Sequence, residues 1–101
     1  MNTIVQSPIF STWLGQLRDD VGKALILRRI IRAELGNFGD CEPVGEGVSE
    51  MRVHHGPGYR VYFIRRGATV YVLLCGGNKA SQKKDIRLAI KMSRDMKEQE
   101  S

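Results

Sequence analysis

The sequence predicts an α+β fold: a small antiparallel sheet, a helical hairpin from the N-terminal third on one face, and a C-terminal helix. Three observations predict it. Two consecutive segments before Gly36 carry apolar residues at helical spacing. Three segments between Glu50 and Cys75 alternate or run apolar as strands do, and the stretch from Ala80 to Gln99 returns to helical spacing.

Thr3 to Gln6 reads as a short edge strand. Ser7-Pro8 then offers an N-cap and a proline at the first helical position. Phe10, Trp13, Leu14 and Leu17 follow at i, i+3, i+4 and i+7, which predicts a helix over about Pro8 to Leu17. A second helix is expected from about Val21 to Leu35, with Leu25, Ile26, Ile30 and Ile31 inward and Arg28, Arg29 and Arg32 largely outward. Gly36-Asn37 suits its C-terminal stop. The turn-rich run from Gly36 to Gly47 carries at most a very short strand.

In Glu50 to His55, Met51, Val53 and His55 share one side and Glu50, Arg52 and His54 the other. In Tyr59 to Arg65, Val61 and Phe63 oppose Arg60, Tyr62 and Ile64. Thr69 to Cys75 is nearly continuously apolar, the pattern of a central strand covered on both faces, and Gly76-Gly77 is expected to end it. The last helix offers Ile86, Leu88 or Ala89, Ile90 and Met96 for packing. The whole chain, 1–101, reads as one domain with a frayed tail at about 97–101.

Sixteen Lys and Arg against eleven Asp and Glu give a net charge of +5, a field that favours polyanions or an acidic protein partner. Cys41 and Cys75 stand far apart in no C-x-x-C arrangement, so neither a disulfide framework nor a zinc site is suggested. No basic n-region precedes a long apolar run, and no eighteen apolar residues follow one another. A cytoplasmic protein without a membrane segment is the expectation.

The strand pattern also concentrates chemistry. Arg52 with His54, and Arg60 with Tyr62, can share the sheet face opposite the helical hairpin if the "HGPG" turn keeps the strands in register. Lys79 can overhang that face from the end of the last strand, and Lys83 and Lys84 extend the charge into the last helix. Such a cleft, without a carboxylate cluster, suits a phosphodiester. Cleaving RNA without a metal or other cofactor needs a base for the 2′-OH proton, cations for the charge on the pentacoordinate phosphate and an acid for the leaving 5′ oxygen. His54, with an ordinary pKa of about 6.5, is the group best suited to move a proton near neutrality. Arginine forks onto phosphate oxygens, and Tyr59 or Tyr62 can stack on a base.

Each of these residues also has a plainer role. A strand histidine is commonly a solvated surface group, Tyr59 can brace the turn after Pro57-Gly58, and arginines on an amphipathic helix usually form a wet face. "GEG" at Gly45 to Gly47 and "GGNK" at Gly76 to Lys79 lack the glycine spacing of a dinucleotide fingerprint or phosphate loop.

Taken in order, "FSTWLGQLRDD", "RRIIRAELGNFGD", "PVGEGVSEMRVHHGPGYRVYF" and "LLCGGNKASQKKDI" resemble the addiction-module killer proteins, a HigB-like branch of the RelE/ParE toxin superfamily, over about residues 10–90. The resemblance implies a type II toxin with a microbial RNase-like fold and a metal-independent, ribosome-dependent mRNA endonuclease activity in the A site. It places the catalytic groups most naturally at Arg52 and Arg60, with Lys79 at the end of the last strand and His54 as a neighbouring candidate, while Tyr59, Tyr62, Lys83 and Lys84 are the substrate-binding candidates that the residue pattern itself offers. On that reading Arg60→Ala abolishes activity in a protein that still folds. The implied partner is a cognate helix-turn-helix antitoxin, with operator DNA bound only through the toxin–antitoxin complex. RelE-like nucleases commonly carry a base-stacking tyrosine near the C-terminus, and this chain has no aromatic residue after Lys79. ParE-like members of the superfamily poison DNA gyrase, so gyrase inhibition and an inactive co-repressor are the alternatives.

Overall fold

The first helix begins where Ser7-Pro8 places it. In the computed structural model, which describes residues 1–100, β1 (Thr3–Gln6) leads into α1 (Pro8–Gln16). Its N-cap Ser7 accepts a 3.0 Å hydrogen bond from the Phe10 N–H. Asp19 caps α2 (Asp20–Glu34) in the same way through the Gly22 N–H, at 2.9 Å. Four strands follow, β2 (Cys41–Gly45), β3 (Val48–Val53), β4 (Tyr59–Arg65) and β5 (Val70–Asn78), then a 3₁₀ turn at Lys79–Ser81 and α3 (Gln82–Glu100). α3 takes in positions 97–100 of the expected tail, while Ser101 lies outside the described residues. None of the described helices is long and apolar enough to cross a membrane.

The five-stranded sheet is mixed, in the order β1-β5-β4-β3-β2. The expected all-antiparallel sheet is therefore corrected at one edge: β1 runs parallel to β5, with Thr3 opposite Val70. Antiparallel neighbours need only a tight turn, whereas the partner of β1 is chosen by packing at long sequence separation. The "GEG" segment makes one such turn, and the run before it, expected to carry at most a very short strand, holds the five-residue β2. Glu46 and Gly47 both have positive φ, 50° and 81°, the backbone of a two-residue hairpin turn, and β2 folds back on β3.

Strand alternation sorts the two faces as expected. Met51, Val53, Tyr59, Val61, Phe63 and Leu73 pack under α1 and α2, through Phe10, Leu14, Ile26, Ile30 and Ala33. Phe38, from the loop after α2, closes this core by stacking on Phe63 at 5.1 Å. The other face is covered too. Val48, Tyr62, Ile64, Val72, Leu74 and Cys75 pack against α3 through Ile86, Ala89, Ile90, Met92 and Met96. Of the paired alternatives on α3 it is Ala89 that turns to the sheet, fully buried, while Leu88 stays 36% exposed.

Three expectations change. Ile31 is 58% exposed, because Gly22, Ile26, Ile30 and Ala33 already fill the inner stripe of α2 and Ile31 lies a third of a turn away. Arg29 turns in, donating to the carbonyls of Arg52 (2.5 Å) and Phe38 (2.8 Å). And Gly76-Gly77 does not end β5, which continues to Asn78. The glycines instead admit neighbours on opposite faces: a Cβ on Gly76 would collide with the Trp13 indole, and one on Gly77 with Asp85 Oδ2, with Ser81 Oγ 2.8 Å away. Gly77→Ala is accordingly expected to cost about 1–3 kcal/mol by overpacking the buried Asp85, a loss read directly from urea denaturation.

Candidate functional site

β3, β4 and β5 lie side by side, and their register aligns the cations. Arg52 sits opposite Arg60, and Arg60 opposite Gly77, on the face that α3 covers. Lys79 follows at the end of β5, its backbone N–H donating to Pro57 O at 3.3 Å. The β3–β4 turn rises beside it: Arg60 Nη1 donates to Gly58 O at 2.7 Å. The four expected catalytic residues are thereby gathered at one end of the sheet, with His54 and Lys79 exposed and Arg52 and Arg60 half-buried.

The face is not a bare cationic cleft, however. Asp40 accepts from Arg52 Nη2 at 3.1 Å and meets His54 Nε2 at 2.5 Å; Glu42 lies 3.2 Å from the same guanidinium. Hydrogen bonding to Glu42, and then to Asp40, holds the Arg52 pKa above its ordinary value. Deeper in, Glu50 is 2% exposed and lies 3.6 Å from Arg60 Nε. It accepts from the Tyr62 hydroxyl at 3.0 Å and from Gln82 Nε2 at 2.9 Å. A buried carboxylate persists only when paired and hydrogen-bonded, and Glu50 has both. Arg60 thus belongs half to the site and half to the core.

Of the expected substrate-binding groups, Tyr62 is fully buried beneath α3 and its hydroxyl is held by Glu50. It offers no face to a base, and burial raises its pKa. Tyr59 points to the other side of the sheet, donating to Asp19 at 2.8 Å with Trp13 against its edge. It braces the turn from beneath. Lys83 and Lys84 are exposed on the first turn of α3.

Sequence reasoning overlooked Asp40, Glu42 and the depth of Glu50. The signal was present in the "GEG" turn. Folding 41–45 back on β3 puts Cys41 opposite Met51, so Asp40 arrives beside Arg52, whose N–H donates to Asp40 O at 2.9 Å. Arg29 supports the same loop from below through the Phe38 and Asp40 carbonyls.

Three carboxylates of the molecule are held below their ordinary pKa, so acid is expected to destabilise the fold. Asp40 is held below its ordinary 3.8, chiefly by the His54 hydrogen bond, Asp19 chiefly by the Gly22 N–H, and Glu46 below 4.5 chiefly by Arg94. A carboxylate whose folded pKa is depressed stabilises the fold above its unfolded pKa and loses that contribution as pH falls through the folded value. Stability is therefore expected to be level above about pH 5 and to decline below about 4. Thermal melts across pH 2–7 check the sign, and Asp40→Asn should flatten the decline.

In the tautomer that donates Nε2–H to Asp40, the other ring nitrogen of His54, Nδ1, is left as an acceptor for solvent or a ligand. An imidazole oriented by a carboxylate beside a guanidinium has the chemistry to move a proton next to an anion. Among the described residues no group of three His, Cys, Asp or Glu side chains is placed to hold a metal ion. The two cysteines are free.

Residues 12–96 match the family described as phage derived protein Gp49-like (DUF891). The chain is also 41% identical over 87 residues to an uncharacterized protein of Haemophilus influenzae, an alignment covering 86% of this chain and 88% of that one.

Proposed function

The chain belongs to the Gp49-like family of phage-derived proteins, a family associated with the toxins of toxin–antitoxin modules, and from that premise we propose that it is such a toxin. Its activity on this reading is metal-independent endoribonuclease cleavage of mRNA in the ribosomal A site, in the cytoplasm. The kinship we infer is with the HigB-like branch of the RelE/ParE superfamily and its microbial RNase-like fold. The observation that supports it most is the His54–Asp40 pair standing next to Arg52 at one end of the sheet.

In the reaction His54 takes the 2′-OH proton at Nδ1, and the oxygen attacks the adjacent phosphorus. Arg52 and Lys79 stabilise the charge gathering on the equatorial oxygens, and the Lys79 ammonium protonates the leaving 5′ oxygen. Arg60 holds the floor of the site from its place against Glu50. Lys83 and Lys84 take flanking phosphates. Base stacking by a tyrosine is not part of this scheme, since Tyr59 and Tyr62 are both buried.

Brief induction of the wild type in cells, followed by mapping of mRNA 5′ ends, tests the reading. New 5′-hydroxyl ends inside translated codons are expected. Growth arrest with intact mRNA and a DNA-damage response would overturn it in favour of gyrase.

A further inference from the structure

We propose that the outward face of α2 is a docking surface for an amphipathic helix with acidic flanks, carried by a separate chain. The inference rests on the toxin reading only in naming that chain as the antitoxin. Its physical basis is independent.

α2 is apolar on two sides. Its inner stripe of Gly22, Ile26, Ile30 and Ala33 is buried on the sheet. On the other side Leu27, Ile31 and the C-cap Leu35 follow at spacings of four residues and stand 40%, 58% and 68% exposed, with Ala24 exposed about one turn before Leu27. At 100° per residue these four fall within about one-third of the helix circumference, on the side turned from the core-facing stripe. Single exposed apolar residues need no explanation, but an aligned row of them on one helix is the shape that a second helix reads through i, i+4 anchors.

Charge selects the occupant. Arg28 and Arg32 are exposed along one border of the row, and among the described residues neither has a salt-bridge partner. This contrasts with Arg52, Arg60 and Arg94, each of which meets a carboxylate. A second copy of this chain would bring the same arginines and another +5 to the interface. Like charges across a contact repel, so self-association through α2 is disfavoured. A helix with Leu or Ile at its centre and Glu or Asp along one border satisfies both the apolar row and the two guanidinium groups.

The test co-expresses the chain with the product of its adjoining reading frame, using wild type, Ile31→Glu and the double variant Arg28→Glu/Arg32→Glu. All three positions are exposed, so the fold should survive; circular dichroism and a melt verify it. The expected result is that Ile31→Glu still arrests growth, is no longer neutralised by the partner, and binds it roughly 10- to 100-fold more weakly. The double variant should weaken binding in a salt-dependent way. If Ile31→Glu is neutralised as well as wild type, the docking surface is refuted and the toxin reading stands. If wild type causes no arrest, the toxin reading fails by itself, and co-purification decides: loss of the complex with Ile31→Glu supports the surface, and its retention refutes it. Sedimentation of wild type alone as a dimer that Ile31→Glu dissociates would overturn the proposal in favour of a second copy.

Discussion

Arg60→Ala is expected to destabilise the folded protein by about 3–5 kcal/mol, because it strands the Glu50 carboxylate in the sheet without its cation. Against a total stability of about 5–15 kcal/mol, that is a large fraction, and the melting temperature should fall by tens of degrees, at about 4–8 °C per kcal/mol. The loss comes from what remains: Tyr62 and Gln82 still donate to Glu50, yet its carboxyl group is buried with no positive group beside it. Removing both charges should restore much of the stability, so Glu50→Gln/Arg60→Met should melt well above Arg60→Ala. Equilibrium denaturation of the three proteins checks this, and an Arg60→Ala midpoint equal to wild type would refute the pairing. The expectation that Arg60→Ala silences a protein that folds normally is thus replaced. An inactive Arg60→Ala reports fold and chemistry together and is a poor probe of catalysis.

His54 is the better probe. Its side chain is 75% exposed, so His54→Ala should leave the melt almost unchanged. If His54 is the base, cleavage of translated mRNA should fall by about 10²- to 10⁴-fold, the usual contribution of a positioned proton-transfer group. Asp40→Asn tests the positioning. It keeps the shape but loses the carboxylate that fixes the imidazole, so a smaller loss and an altered pH–rate profile are expected, while Lys79→Ala should reduce the rate without altering the fold. Undiminished 5′-hydroxyl ends with His54→Ala would remove the histidine from the mechanism and move the search for the base to Lys79.

Much of this could be read from residue order. The period of 3.6 over Phe10 to Leu17 and the period of 2 over Glu50 to Arg65 determined the helices, the strands and which side chains share a face. Ser7-Pro8 determined the start of α1 to the residue. These are local rules, set by backbone geometry and by which side of an element is apolar. The row of Arg52, Arg60 and Lys79 was legible for the same reason, since the hairpin register follows from a short turn.

Tertiary structure decided the remainder, because each of those features depends on residues distant in sequence. The parallel pairing of β1 with β5 joins positions about seventy apart, and no local pattern encodes it. The covering of the second face by α3 buried Tyr62 and confined the expected open cleft to a candidate site at the sheet's end. Glycines that looked like strand breakers proved to be clearances for Trp13 and Asp85. Ile31, apolar and expected inward, lies on the outer side of α2, because Gly22, Ile26, Ile30 and Ala33 form the stripe that faces the sheet. The carboxylates that govern the arginines come from the loop before β2 and from β3 itself, and whether a charge is free or paired is a question of distance that only the folded chain answers.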